Sequence, residues 1–297
     1  MSEEKKSEKL TAKYRFDGED KCRLDKLPTD SKSDGVDKEE ILKRYEENLE
    51  RMGELQEKLY ADGKEGVIIV LQAIDAAGKD STIKHVMRGF NPQGVTVYSF
   101  KAPNSEELAH DYLWRINKCL PRRGEIAIWN RSHYEDVLAV DIHDIWQNYS
   151  YAERVLDEDK KEFFKKRYRQ IKNYEEYLYE NSYRVVKLFL HISKDVQKAR
   201  FLERIDRPEK NWKFAASDLD DRALWDDYIE LFDKVISNTA SKHAPWYAIP
   251  ADQKWYARFL VSEILVELLE QCDPKFPEVT DEGRAELADC RERLENE

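Results

Sequence analysis

Glycine is scarce in this sequence, with 10 in 297 residues, while 37% of residues are charged; that balance predicts long, solvated helices. Cysteine is scarcer still. Cys22, Cys119, Cys272 and Cys290 are scattered and form no CxxC pair, which excludes a disulfide framework or a cysteine metal site and predicts reduced thiols in a cytoplasmic protein. Positive charge is in deficit. A formal net charge of −11 argues against nucleic acid or a membrane surface as a general partner, either of which needs a basic face, although a local cluster can still hold an anion. No apolar run approaches the roughly 18 residues of a membrane-spanning helix, and no signal peptide opens the chain. There is no internal repeat and no low-complexity linker. With 41% hydrophobic residues, the length suits one domain with a large core.

What the sequence does hold is organised around Leu71–Thr82, LQAIDAAGKDST. The preceding run Val67-Ile68-Ile69-Val70-Leu71 is short and rich in β-branched residues, so it reads as a buried strand. A small-residue turn, Ala76-Ala77-Gly78, leads to Lys79, Asp80, Ser81 and Thr82, then to Ile83, Val86 and Met87 at helical spacing. Strand, tight loop, lysine and helix are what phosphate binding requires: backbone N–H groups at the new helix's start face an anion and the lysine adds a full charge. The match to G-x-x-x-x-G-K-[ST] is incomplete. Ala73 replaces the first glycine, Asp80 takes the place of the metal-binding hydroxyl, and Ser81 follows one residue late. The plainer alternative is a strand–helix turn with a surface lysine. Asp75 weighs against it, because a carboxylate facing bound phosphates makes sense only with a cation between them.

Taken in order, residues 1–36 form a polar arm that wraps the domain or pairs with a neighbour. From Asp37 to Tyr60, Ile41, Tyr45, Leu49, Met52, Leu55 and Leu59 recur at three- and four-residue steps, predicting an amphipathic helix capped by Asp37 and stopped at Gly63. A second strand is expected over 95–100. A helix capped at Asn104 or Ser105 should run through Leu108, Tyr112, Leu113 and Ile116. A third strand, 125–129, delivers Asn130-Arg131-Ser132-His133-Tyr134-Glu135-Asp136 at its carboxyl end. A charged helix spans 150–181, a fourth strand 183–192, a helix starts at Lys194, another covers 218–238, Trp246–Pro250 is a short edge strand, and a closing helix runs from Asp252 to Leu269. Alternating strands and helices predict an α/β fold with a mostly parallel sheet covered on both faces, whose ligand lies beyond the carboxyl ends of the strands. Asp75, Lys79, Arg131, Glu135 and Asp136 all follow such ends.

Arg200, Arg204, Arg207, Lys210 and Lys213 place five cations within fourteen positions of an acidic chain. A solvated helix face is the usual fate of such a run, but Pro208 and the irregular spacing favour a lid of about 205–226 that closes over phosphates. The main domain then spans 37–271 and a polar tail 272–297. Lys84 and Arg88 share a helix face and, with Arg122 and Arg123, form either a basic track for an anion or an ordinary solvated face. His133 reads as a packing residue, His191 as a core histidine, and Trp212, Trp225, Trp246 and Trp255 as core or lid packing.

Together AIDAAGKDSTIKHV, FNPQGVTVYSF, GEIAIWNRSHYEDVL, RIDRPEKNWKF with SDLDDRALWDDY, and APWYAIPADQKWYARFLVSEIL resemble the second polyphosphate kinase family, over roughly residues 40–271. The resemblance implies a P-loop kinase fold with a helical lid, Mg²⁺ dependence, and reversible transfer of the terminal phosphate of inorganic polyphosphate to nucleoside mono- and diphosphates. The nucleotides are AMP, ADP and ATP, with guanine nucleotides as further candidates. It places Lys79 as the loop lysine, Asp75 and Asp136 at the metal, Arg131 in the second motif, Arg204, Arg207, Lys210 and Lys213 in the lid, and Asp218 after it. Asp80 is at home in this family. Asn130, where many members carry aspartate, followed by Glu135-Asp136, resembles the branch acting on both AMP and ADP. A homo-oligomer, dimer or tetramer, is expected. Two other readings use the same residues: an ATP-dependent nucleotide kinase, and a nucleotide- or polyphosphate-binding protein without catalysis.

Overall fold

The computed structural model describes residues 10–297; the first nine residues of the predicted arm lie outside the described part. Six strands form one sheet in the order β1-β6-β5-β2-β4-β3: β1 Arg15–Phe16, β2 Gly66–Gln72, β3 Val95–Ser99, β4 Ile126–Asn130, β5 Tyr183–His191 and β6 Trp246–Pro250. All pairings are parallel except β1 with β6. Every residue of β2 is buried, as a central parallel strand covered on both faces must be. This is the predicted P-loop kinase-like architecture. Among the described residues no helix is long and apolar enough to cross a membrane.

Among the described residues the helices of seven or more residues are α1 Lys38–Asp62, α2 Lys79–Val86, α3 Lys160–Glu180, α4 Lys194–Asp206, α5 Ser217–Ala223, α6 Trp225–Thr239, α7 Lys254–Gln271 and α8 Asp281–Glu295. Helix α1 starts where Asp37 accepts from the N–H groups of Glu39 and Glu40, and stops at left-handed Gly63, φ 63°. Its partner is α7, joined through Arg44–Glu263 and Asn48–Ser262. Helix α3 buries Phe163, Phe164, Ile171, Tyr174 and Leu178, and it starts at Lys160, after a separate helical turn Glu153–Leu156, rather than at 150.

Four further expectations are corrected. The helix expected through 105–116 is two short pieces, Ser105–Leu108 and Trp114–Asn117: the capping box of Asn104 with Glu107 starts it, but its last turn closes at Ala109. The helix over 218–238 is likewise divided between α5 and α6. Strand β6 is not an edge strand, because Phe16 and Arg15 of the arm pair with Trp246 and Tyr247. Tyr14, Cys22 and Leu24 of the arm are buried, and Asp34 accepts hydrogen bonds from Tyr14 and Tyr256. Finally, Trp212 does not pack. It is 78% exposed, whereas Trp225 and Trp246 are buried.

Candidate active site

Parallel register brings Leu71 of β2 level with Asn130 of β4, and Asn130 level with Ser99 of β3, so the loops that follow share one edge of the sheet. The first is the Ala73–Lys79 turn. Ala76 there is left-handed at φ 61°, and so is Arg131 in the second loop, φ 64°. Non-glycine residues hold that conformation only where their surroundings over-determine it, which is common at functional sites.

Arg131 joins the two loops. Its Nη2 donates to Asp75 Oδ1 at 2.8 Å and its Nη1 to Glu135 Oε2 at 3.1 Å. Burial alone would weaken the guanidinium's hold on its proton, but Glu135 and Asp75 more than offset it. Lys79 Nζ donates to Ala73 O at 3.0 Å. Its ammonium is pressed below the ordinary lysine range by burial and by Arg131, against the pull of Asp75, Glu135 and Asp80. Asp80 accepts from Asn130 Nδ2 at 2.9 Å, which accounts for a carboxylate where a hydroxyl is usual. Ser81 accepts from Arg258 at 3.0 Å, and Thr82 opens α2 with its N–H on Gly78 O at 2.9 Å.

Asp136 was expected beside Asp75. The turn His133–Val137 is a 3₁₀ helix that faces Glu135 toward Arg131 and buries Asp136. Asp136 lies 2.8 Å from Arg167 Nε on α3. Burial raises its carboxyl, and Arg167 pulls it back. Arg167 in turn lies over the rings of Tyr112, Phe163 and Tyr151. The carboxylate opposite Asp75 is therefore Glu135. Both Glu135 and Asp136 line a cavity of 890 Å³ shared with Arg131, Tyr112, Tyr149 and Tyr151. That volume lies within the usual range for a small-molecule pocket, about 300–1,000 Å³.

The cationic segment after α4 faces the loop through one residue, Lys213, whose Nζ is 3.7 Å from Asp80. Arg204 donates to Lys213 O at 3.1 Å and stands 3.5 Å from Asp218. Asp218 carries a raised carboxyl pKa, from burial and in part from the field of Asp75. Arg207 and Lys210 are instead held by Glu203, and Arg207 also by Glu209.

The track predicted beside the loop is also rearranged. Arg88 is paired with Glu46, and Arg122 and Arg123 precede β4, at the opposite end of the sheet from the loop. Lys84 is joined by Lys254 and Arg258 at the start of α7, residues that sequence reasoning missed. None of the three has a carboxylate within ion-pair distance among the described residues. Their shared field, after burial, holds His85 below the ordinary histidine range. The signal available in the sequence was the four-residue spacing of Lys254 and Arg258 on a helix that follows a strand end.

His133 is buried, with burial and Lys187 lowering its pKa to about 3, and neither ring nitrogen has a hydrogen-bond partner. It is a neutral packing group, and His191, lowered to about 4 by burial, is another.

A mostly parallel sheet whose central strand runs into a cationic anion loop, beside a roomy cavity lined in part by Arg131, defines a phosphoryl-transfer enzyme of the P-loop kinase class. The chain belongs to the polyphosphate kinase 2 family, whose model, "Polyphosphate kinase 2 (PPK2)", matches residues 35–277. It is 46% identical over 287 residues to an "ADP-polyphosphate phosphotransferase" of Rhodopseudomonas palustris, covering 96% of this chain and 98% of that one. It is 45% identical over 267 residues to an "AMP/ADP-polyphosphate phosphotransferase" of Meiothermus ruber, covering 90% and 95%. The crystal structure of polyphosphate kinase 2 from Arthrobacter aurescens TC1 superposes with a TM-score of 0.82 at 34% identity, covering 93% of this chain and 95% of that one.

Proposed function

We propose that this enzyme moves the terminal phosphoryl group of inorganic polyphosphate to AMP and to ADP, reversibly. The observation that carries the reading is the position of Arg131, bonded to Asp75 of the anion loop on one side and to Glu135 of the cavity wall on the other. One guanidinium thus stands where a phosphate row held by the loop would meet an acceptor seated in the cavity. The basic face of Lys84, Lys254 and Arg258 extends the loop's positive field, which suits a long polyanion as the donor better than a single nucleotide.

Phosphoryl transfer needs alignment and charge neutralisation more than covalent participation. Lys79 and the loop N–H groups would hold the donor's terminal phosphate, and Arg131 would neutralise charge on the group in transit. The acceptor is already an anionic oxygen, so no general base is required, and the neutral, buried His133 fits that economy. The segment from Arg204 to Lys213 acts as a lid, with Lys213 nearest the loop, beside Asp80.

The metal is Mg²⁺. Asp75 and Glu135, brought together on Arg131, fit it, since Mg²⁺ takes one or two carboxylates and completes its shell with phosphate oxygens and water. No ready-made cage of three or more metal-ligating side chains occurs among the described residues, which suits an ion that arrives with the phosphates. When bound, it would offset the repulsion between donor, acceptor and the loop carboxylates.

The test is a product assay with AMP or ADP, long-chain polyphosphate and Mg²⁺, and no ATP. ADP and ATP should form, and chelation should stop the reaction. Turnover only when ATP is the donor would make the protein an ordinary nucleotide kinase; binding without turnover would make it a non-catalytic binder.

A further inference from the structure

Three consecutive carbonyls of the anion loop are held from behind. Asp75 O accepts from Gln197 Nε2 at 3.0 Å, and Ala76 O and Ala77 O accept from Arg200 Nη1 at 3.1 and 2.6 Å. The other arm of Arg200 donates to Ala251 O at 2.7 Å and Asp252 O at 3.1 Å. A planar guanidinium engaged by four carbonyls has its fork turned to the backbone, not to a phosphate. In a trans peptide the N–H points opposite to the carbonyl of the residue before it. Pulling Asp75 O and Ala77 O backward therefore aims the N–H groups of Ala76 and Gly78 forward, into the cradle. The same bonds hold Ala76 in its left-handed conformation, φ 61°.

Gln197 is itself oriented. It is buried, and its Oε1 accepts from Arg222 Nη1 at 2.7 Å, which also donates to Lys194 O at 2.8 Å. Arg222 lies on α5, the helix into which the Arg204–Lys213 segment returns. An unbroken chain of bonds thus leads from the descending leg of the segment, through Arg222 and Gln197, to the backbone of Asp75, whose carboxylate is on Arg131.

We propose that Arg222, Gln197 and Arg200 are positioning residues that set the loop's phosphate-facing groups according to the placement of the lid's α5 leg. This rests on the phosphotransferase reading, with the segment as lid. None of the three touches the phosphates. They act through the loop backbone, so their loss misaligns the transfer rather than weakening capture of the polyanion.

The test is a double-mutant cycle of Arg222→Ala and Gln197→Ala in the full-length enzyme, with Arg200→Lys alongside. Each variant should lower kcat by between about tenfold and 10²-fold, the cost of a small misplacement, while KM for polyphosphate stays within about twofold and keeps its salt dependence. The double variant should be no slower than the slower single one, since both cut the same chain. Arg200→Lys keeps the charge but loses the fork, and should show the same kcat-only loss with an unchanged melting temperature. Any of three results would overturn the proposal: a raised KM with kcat preserved, which marks phosphate ligands; multiplicative losses in the double variant; or losses that track the melting temperature. Should Arg222→Ala fail to fold, Arg222→Met, which keeps an aliphatic stem but has no donor for Gln197 or Lys194, takes its place in the cycle. Running the series with ATP as donor as well separates the two ideas, because the relay predicts the same kcat pattern whichever donor the wild type accepts.

Discussion

Two basic regions flank the anion loop, and they differ in what their charges are doing. On the segment from Arg204 to Lys213, the cations are already matched: Arg207 with Glu203 and Glu209, Lys210 with Glu203, Arg204 with Asp218. Beside α2, Lys84, Lys254 and Arg258 all act on His85, and none has a carboxylate within ion-pair distance among the described residues. Burial and Arg200 lower Lys254, and burial and Arg88 lower Arg258, the cost of holding cations near one another. Phosphate arriving at the second region relieves a strain already present. Phosphate arriving at the first must displace a carboxylate before it gains anything. On the proposed reading, the unmatched face captures the polyanion and the matched segment exchanges partners once it is there.

The largest effect should come where the two regions meet. Lys79→Ala should lower kcat by at least about 10²–10³, the usual cost of one preorganised charge donor. Its melting curve should stay near wild type, since Lys79 makes one backbone bond, to Ala73 O. Steady-state rates and thermal melts of the purified variant measure both, and near-normal turnover would remove the loop lysine from the mechanism.

Next in size is a contrast between sequence neighbours. Asp136→Ala strands Arg167 in an aromatic surround and should lower unfolding free energy by about 3–5 kcal/mol, as when one partner of a buried ion pair is lost. Glu135→Gln, at a half-buried carboxylate, should instead lose activity with the urea midpoint little changed. Equal stability losses in the two variants would erase the distinction drawn between them.

The smallest effect probes the two basic regions directly. Lys254→Ala combined with Arg258→Ala should raise KM for long-chain polyphosphate severalfold and flatten its salt dependence. Arg207→Ala should change KM by less than about twofold, because Glu203 and Glu209 already hold its exposed guanidinium. A reversed order would mean that the segment, not the α2–α7 face, does the capturing.

Much of this could be read from the chain itself because the loop's chemistry and its context coincide there. An apolar β-branched run, Gly78-Lys79 and a helical repeat fall in one stretch, and Asn130–Asp136 follows a second strand. What escaped was orientation. Glu135 and Asp136 are adjacent carboxylates, and only the 3₁₀ turn decides which one faces Arg131 and which one is buried on α3. Arg200 sits in a run of cations, and nothing in its identity tells a phosphate ligand from a clamp on carbonyls. Arg88 reads as an open cation until Glu46, 42 positions earlier, comes to meet it. Lys254 and Arg258 lie about 175 residues from the loop they adjoin, so their contribution depends on how α7 docks. The arm was legible as polar, but its pairing with β6 depends on two residues, too few to show alternation.

That pairing has a practical corollary. Arg15 and Phe16 close the sheet's outer border, so shortening the protein past them would leave β6 with a raw row of amides and carbonyls, a ready template for another molecule's strand. Expression versions trimmed to the catalytic body alone should be judged by light scattering before their kinetics are believed.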